Sequence, residues 1–146
     1  MSEFIQRSLM PASAEELLAW HARPGAFERL MPPWEQIELR QAAKSLTNGE
    51  RAEFVMPIGP FRQRWIAEHH ALSDGVGFRD QQIVGPFTRW EHTHRMTPAD
   101  PANSSSWLED RIHYDVPLAA IGRALLGRHI HMSLERTFAY RHRVTT

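Results

Sequence analysis

Cysteine is absent from the 146 residues, which removes a disulfide framework, a thiolate metal site and a cysteine nucleophile together. Net charge is absent as well, since Lys plus Arg and Asp plus Glu number 17 each. Phosphate binding needs a clustered excess of Lys and Arg, and here the arginines are dispersed, so nucleic acid is not an expected partner. No stretch approaches the ~18 apolar residues of a membrane span, and the start Met1-Ser2-Glu3-Phe4 lacks a basic segment followed by an apolar run. The expectation is a soluble cytoplasmic protein without stable membrane insertion. Glycine-rich phosphate loops, a serine-centred elbow and a kinase-like residue set are also missing, so nothing supports nucleotide hydrolysis.

What is present is the length of one ordinary domain, 1–146, with 42% apolar residues to bury a core. Two segments nearly repeat: Gly59-Pro60-Phe61-Arg62-Gln63-Arg64-Trp65-Ile66-Ala67-Glu68-His69-His70 and Gly85-Pro86-Phe87-Thr88-Arg89-Trp90-Glu91-His92-Thr93-His94. Each reads as a turn feeding a strand, because proline after a permissive glycine suits a tight connection and the aromatic residues that follow suit a pleated surface. Period-two alternation puts Trp90, His92, His94 and Met96 on one face and Arg89, Glu91, Thr93 and Arg95 on the other. The first face mixes aromatic, aliphatic and imidazole groups, as the wall of a polar-spotted cavity does.

The order of elements is readable. Phe4 to Leu9 is a short strand. Ser13 and Glu16 have the spacing of a capping box opening a helix through Leu17, Leu18 and Trp20, which Pro24 and Gly25 stop near Arg23. Ala26 to Leu30 makes a further short helix before Pro32-Pro33. Strands are then expected over Gln36 to Lys44, Glu50 to Met56, Arg62 to Leu72, Gly77 to Val84, Thr88 to Met96 and Trp107 to Val116, with Thr47-Asn48-Gly49 as a hairpin turn. Short connections make the strands an antiparallel meander. Pro117 suits the first position of a helix running to about His142. In it Leu126, Ile130, Leu134 and Phe138 recur at four-residue steps and face the sheet, while Arg128, His131 and Glu135 point away. Leu118, Ile121 and Leu125 fall on another side, so the first turns are broadly apolar or the helix bends near Gly122 and Gly127.

This order resembles the helix-grip fold of the START-like superfamily, which includes the birch-pollen-allergen type, polyketide cyclases and coenzyme Q-binding proteins. More narrowly, His21-Ala22-Arg23-Pro24-Gly25-Ala26-Phe27, Leu30-Met31-Pro32-Pro33-Trp34, Asp80-Gln81-Gln82-Ile83-Val84-Gly85-Pro86-Phe87, Trp90-Glu91-His92-Thr93-His94 and Asp110-Arg111-Ile112-His113-Tyr114-Asp115-Val116-Pro117 are similar to bacterial cyclase/dehydrase-like members. Relatives of these occur fused to the N-terminus of an epimerase-type dehydrogenase; with the sequence ending at Thr146, no fused epimerase is expected here. The resemblance implies an α+β domain in which a curved antiparallel sheet of about seven strands, with two short helices after the first, wraps a long C-terminal helix and leaves a cavity.

On that fold Phe78, Asp80 and Gln82, then Trp90, His92 and His94, then Asp110, Ile112 and Tyr114 share phases that could face inward. They form the candidate ligand-binding set, and His92, His94 and Asp110 are the catalytic candidates. Buried His-Asp and Tyr-His pairs also serve simply to satisfy polar atoms, and Asp80 and Asp110 are either an acid/base pair or partners of neighbouring Arg or His, the latter being favoured for at least one. The tryptophans read as packing anchors, with Trp34 pinning a loop. His92 and His94 with Asp110 would resemble an open zinc or iron site, but no third histidine of matched phase accompanies them, and neither a metal nor a cofactor is expected. The expected function is binding of a small hydrophobic or amphipathic molecule, such as a lipid, quinone or polyketide-like compound. The alternatives are a cyclase/dehydratase using pocket His and Asp as acid and base, and an interaction domain whose cavity its own side chains fill. A homodimer and a functional link to an epimerase-type dehydrogenase are the further partner expectations.

Overall fold

Strands alternating between a wet and a dry face pair wherever a short polar turn intervenes, and that is how most of this chain folds. The computed structural model describes the backbone of residues 2–46, 49–58, 60–116 and 119–146 and, within these, the side chains of all but 58 and 119–128. The elements are β1 (Ser2–Met10), α1 (Ala14–Ala22), α2 (Ala26–Leu30), β2 (Glu38–Gln41), β3 (Glu50–Ile58), β4 (Phe61–Ala71), β5 (Val76–Val84), β6 (Arg89–Pro98), β7 (Ser106–Asp115) and α3 (Ala119–Thr145). The strands form one seven-stranded antiparallel sheet in the order β1-β7-β6-β5-β4-β3-β2. This is the helix-grip α+β fold, with α3 packed against β1 and β7 and against α2.

Local chemistry accounts for the boundaries. Ser13 caps α1 by accepting from the Glu16 amide at 3.1 Å, as the Ser-x-x-Glu spacing predicts. Gly25, with φ at +82°, separates α1 from α2. Thr47 and Asn48 of the expected hairpin turn lie outside the described residues, as do Gly59 and Pro117. The first hairpin strand is shorter than predicted: Gln36 to Lys44 shrinks to the four residues Glu38–Gln41. After a register shift between Leu39 and Gln41 the chain leaves the sheet, and Ala42 to Leu46 line the cavity instead.

Two features shape the concave face. Opposite Ile66 and Ala67 the pairing skips from Val84 to Gln82, a bulge that bends the sheet. Gly77 has φ at +146°, and a Cβ there would fall 2.0 Å from the His94 carbonyl oxygen. Only glycine lets β5 approach β6 so closely at this point.

The core lies between β1, β7 and α3, where Phe4, Ile112, Tyr114, Val116, Leu134 and Phe138 pack together; a second cluster joins α1 to the sheet through Met10, Leu17, Phe78, Met96 and Leu108. Ile130, Leu134 and Phe138 face the sheet as expected. The other helix positions predicted to share or oppose that stripe, namely Leu118, Ile121, Leu125, Leu126 and Arg128, have side chains outside the described ones. Glu135 is exposed, and His131, also exposed, lays its ring edge against Phe4 at 5.5 Å. The helix runs three residues past the predicted His142 to Thr145, because His142 is buried and bonded to the sheet and so holds the last turn. Trp34 does pin its loop: it meets Tyr140 edge-on at 5.3 Å with Arg136 over its ring at 4.2 Å.

Candidate functional site

Between the concave face and α3, roofed by α1, α2 and residues 34–46, lies a cavity of about 1070 Å³. Strand register divides its lining. Trp65 and Trp90 meet edge-on at 5.1 Å, Phe54 stacks on Trp65 at 5.6 Å, and Phe87 lies 4.8 Å from Trp90. Farther along the same strands, Trp65 gives way to His69 and Trp90 to His92 and His94, which meet Phe78 and Asp80 of β5. One end is aromatic and the other is polar.

The polar end is a connected network. His92 donates from Nε2 to Asp110 Oδ1 at 2.7 Å, and its Nδ1 lies 3.6 Å from Asp80 Oδ2. His94 donates from Nε2 to Asp80 Oδ2 at 2.8 Å, and its Nδ1 lies 2.9 Å from the same Asp110 Oδ1. His142, reaching in from α3, donates from Nε2 to Asp110 Oδ2 at 2.6 Å and holds Ser8 Oγ at 2.8 Å from Nδ1. The His94 ring is sandwiched between Phe78 at 4.0 Å and His92 at 3.7 Å, and Phe138 closes on His92 edge-on at 5.1 Å. His92 is 3% exposed and Asp110 4%, so these groups face one another in place of water.

Charge states follow from the geometry. Both His94 nitrogens face carboxylate oxygens, which only accept, so the ring carries both protons. Burial by itself would strip one, but the hydrogen bond and charge of Asp110, joined by those of Asp80, push His94 up to about 9. Burial, and then the positive charge on His94, hold His92 below the usual imidazole range, which leaves it neutral with its proton on Nε2. Burial works to raise both aspartates and is overcome: the adjacent His92 ring, with the hydrogen bond and charge of His94, holds Asp80 at about 2, and hydrogen bonds from His142, His92 and His94 take Asp110 well below the carboxylate range. His21 donates from Nδ1 to the Leu17 carbonyl at 2.8 Å, and burial with the nearby His94 charge depresses it to about 4.

The predicted site residues separate into groups. Phe78, Asp80, Trp90, His92 and His94 line the cavity. Asp110 sits behind the two imidazoles, bordering a water-sized void of about 10 Å³ with His142. Ile112 and Tyr114 belong to the apolar core. Gln82 turns back on the β5–β6 connection, where its amide bridges the Phe87 backbone at 2.7 and 3.1 Å. Asp80 and Asp110 both pair with histidine, as adjacent-strand placement predicts for at least one of them. The residue facing the cavity between His92 and His94 is Asp80 and not Asp110, and these three donors lie within 4.8 Å of one another.

His21, His69, His142 and Arg141 join this end of the cavity or its floor and were not among the candidates. Periodicity extended one step would have found the histidines: His21 follows Leu17 by one helical turn, His69 continues Trp65 and Ala67 along β4, and His142 continues Ile130, Leu134 and Phe138. Arg141 lines the cavity with a buried Nε that has no hydrogen-bond partner among the described residues.

A sheet gripping a helix around a large, mostly apolar cavity defines the class: a START-like, birch-pollen-allergen-type domain. Residues 10–138 match the polyketide cyclase / dehydrase and lipid transport family, and the chain belongs to it. Among solved structures it is similar to TTHA0849 from Thermus thermophilus, at 16% identity over 99% of this chain and 94% of that one, with a TM-score of 0.71. Norcoclaurine synthase from Thalictrum flavum, in complex with dopamine and hydroxybenzaldehyde, matches at 14% identity over 99% of this chain and 84% of that one, with a TM-score of 0.72. The nucleoside-diphosphate sugar epimerase from Corynebacterium glutamicum matches at 24% identity over 97% of this chain but 28% of that one, with a TM-score of 0.70. At these identities the likeness concerns the fold. No curated protein matches. Among the described residues no helix is long and apolar enough to cross a membrane.

Proposed function

We propose that this domain binds a small amphipathic molecule, an aromatic or polyketide-like ring system whose apolar body lies among Phe54, Trp65, Phe87 and Trp90 and whose carbonyl or hydroxyl end meets His92, His94 and Asp80. The observation that carries this reading is the division of a cavity of about 1070 Å³ into an aromatic end and one buried polar end. Apolar walls supply affinity and a few placed polar groups fix orientation. A cavity of that size does not suit the alternative of an interaction domain filled by its own side chains.

The test is to purify the protein under native conditions, extract what it carries, and titrate it with 1-anilinonaphthalene-8-sulfonate while following Trp fluorescence. The expected results are a bound compound with an apolar ring system and a single saturable site for the probe. Ala67→Phe, which fills the cavity beside Trp65, should abolish probe binding with the circular dichroism unchanged. Absence of any bound compound together with undiminished probe binding in Ala67→Phe would overturn the reading.

A cyclase or dehydratase is the second reading, supported by one observation: the Asp80 carboxylate and the paired imidazoles open into the cavity. In a binder, His92→Ala weakens a hydroxyl ligand, which donates to the free Nδ1, by the net value of one hydrogen bond, about 0.5 to 1.5 kcal/mol. In an enzyme the same change leaves binding intact and slows turnover of a polyketide-like carbonyl substrate by about 10² to 10⁴ fold.

A further inference from the structure

We propose that His92 Nδ1, His94 Nε2 and Asp80 Oδ2 form an open three-donor site for a divalent transition-metal ion at the floor of the cavity. This goes beyond ligand binding and stands or falls without it. The donors are two imidazole nitrogens and one carboxylate oxygen, a set suited to zinc or ferrous iron. Asp80 Oδ2 lies 2.8 Å from His94 Nε2 and 3.6 Å from His92 Nδ1. Donors held about 2.0 to 2.2 Å from a four-coordinate ion stand roughly 3.3 Å apart, so these separations bracket the requirement. An ion there takes the place of the proton between His94 and Asp80, and the two rings, stacked 3.7 Å apart, turn to aim both nitrogens at it.

The far side of the two rings separates this site from a chance His-x-His pair. The nitrogens turned away from the cavity, His92 Nε2 and His94 Nδ1, both meet Asp110 Oδ1, at 2.7 and 2.9 Å. A carboxylate behind a metal-binding imidazole fixes its tautomer and aims its free nitrogen at the ion. Here one aspartate does so for both rings, and His142 anchors that aspartate at 2.6 Å. A purely structural salt bridge needs no such convergence of three donors on the cavity side. Since His92, His94 and Asp80 all line the cavity, the remaining coordination positions open toward the space where a small molecule would lie, as in metal sites that act on a substrate.

The experiment uses the whole chain, dialysed against a chelator and then titrated with Zn²⁺ by calorimetry and with Co²⁺ by visible absorption. One Zn²⁺ site with a Kd below about 1 μM at neutral pH is expected, together with a Co²⁺ band of low-coordinate intensity. Asp80→Asn and His94→Gln should each weaken Zn²⁺ by more than about 100-fold, and Asp110→Asn by about 10 to 100-fold. His131→Ala, which removes an exposed imidazole paired with Glu135, should change nothing. Should the variants not fold, imidazole nitrogen resonances of the native protein serve instead: Zn²⁺ should shift those of His92 and His94. No site tighter than about 10 μM, retained affinity in folded Asp80→Asn and His94→Gln, or Zn²⁺ binding that leaves the His92 and His94 resonances in place would each overturn the proposal.

Discussion

Both faces of this sheet pair basic with acidic side chains at similar distances, Arg with Glu on one and His with Asp on the other, with different consequences. On the convex face Arg64 reaches Glu53 at 2.8 Å, Arg51 reaches Glu68 at 2.9 Å and Arg62 reaches Glu38 at 2.7 Å. Water competes for all of these groups, and such pairs hold their geometry without contributing much stability. On the concave face Asp110, His92, His94 and His142 lie at similar distances with water excluded, and half-buried Asp80 joins them from the cavity side. There each partner satisfies another, one excess proton resides on His94, and removing a member leaves a buried charge with one partner fewer. The same pairing is decoration on one face and a commitment on the other, and the difference is a single step in the strand alternation.

The hardest blow to that contrast is Asp110→Ala. It removes the acceptor shared by His92, His94 and His142, and a loss of about 3 to 5 kcal/mol in chemical denaturation is expected. A loss under about 1 kcal/mol would mean the buried network is as dispensable as the outer one. Phe138→Ala tests the apolar half of the same wall. The ring is 2% exposed and covers His92, and a cost of about 3 kcal/mol is expected, toward the low end for a buried Phe because the site borders an existing cavity.

A pH series sharpens the comparison further. His94 sits at about 9, above its unfolded value of 6.5, so its contribution is fully present below pH 6.5 and is lost as pH rises through 9, on the order of 3 kcal/mol. Asp80, held at about 2, contributes above pH 3.8 and that contribution is lost as pH falls through 2; His21, at about 4, opposes folding as pH falls from 6.5 through 4. The denaturation midpoint is therefore expected to peak near pH 6.5, and His94→Gln should flatten the alkaline limb. An unchanged alkaline limb in that variant would place the proton elsewhere. The smallest effect belongs to the outer face: Arg64→Gln should leave the midpoint within measurement error at moderate salt, and a clear loss would show that the convex pairs matter after all.

Much of this was legible in the residues themselves. Alternation along Arg89 to Met96 placed Trp90, His92 and His94 inward because side-chain direction in a strand has a period of two wherever the ladder is regular. Ser13, Gly25 and Pro24 bounded the helices because caps and breakers act within a few bonds. Gln82 departed from its phase where the ladder is irregular: beside the bulge its amide found nearer partners in the Phe87 backbone. The strand over Gln36 to Lys44 came out shorter than its pattern because its polar, small residues fit a strand while their placement answered to the cavity.

What the sequence by itself determined is the order of elements, the inward face of each central strand and the chemistry available there, all set by local sterics and periodicity. Which groups meet was left to the tertiary structure. Asp80 and not Asp110 faces the cavity between the imidazoles, and His142 arrives from a helix 32 residues beyond Asp110 because α3 packs across β1 and β7. Those pairings depend on sheet curvature, on the close approach at Gly77 and on the angle of α3. Each sums many weak contacts over the whole fold and so is written in no single stretch of chain.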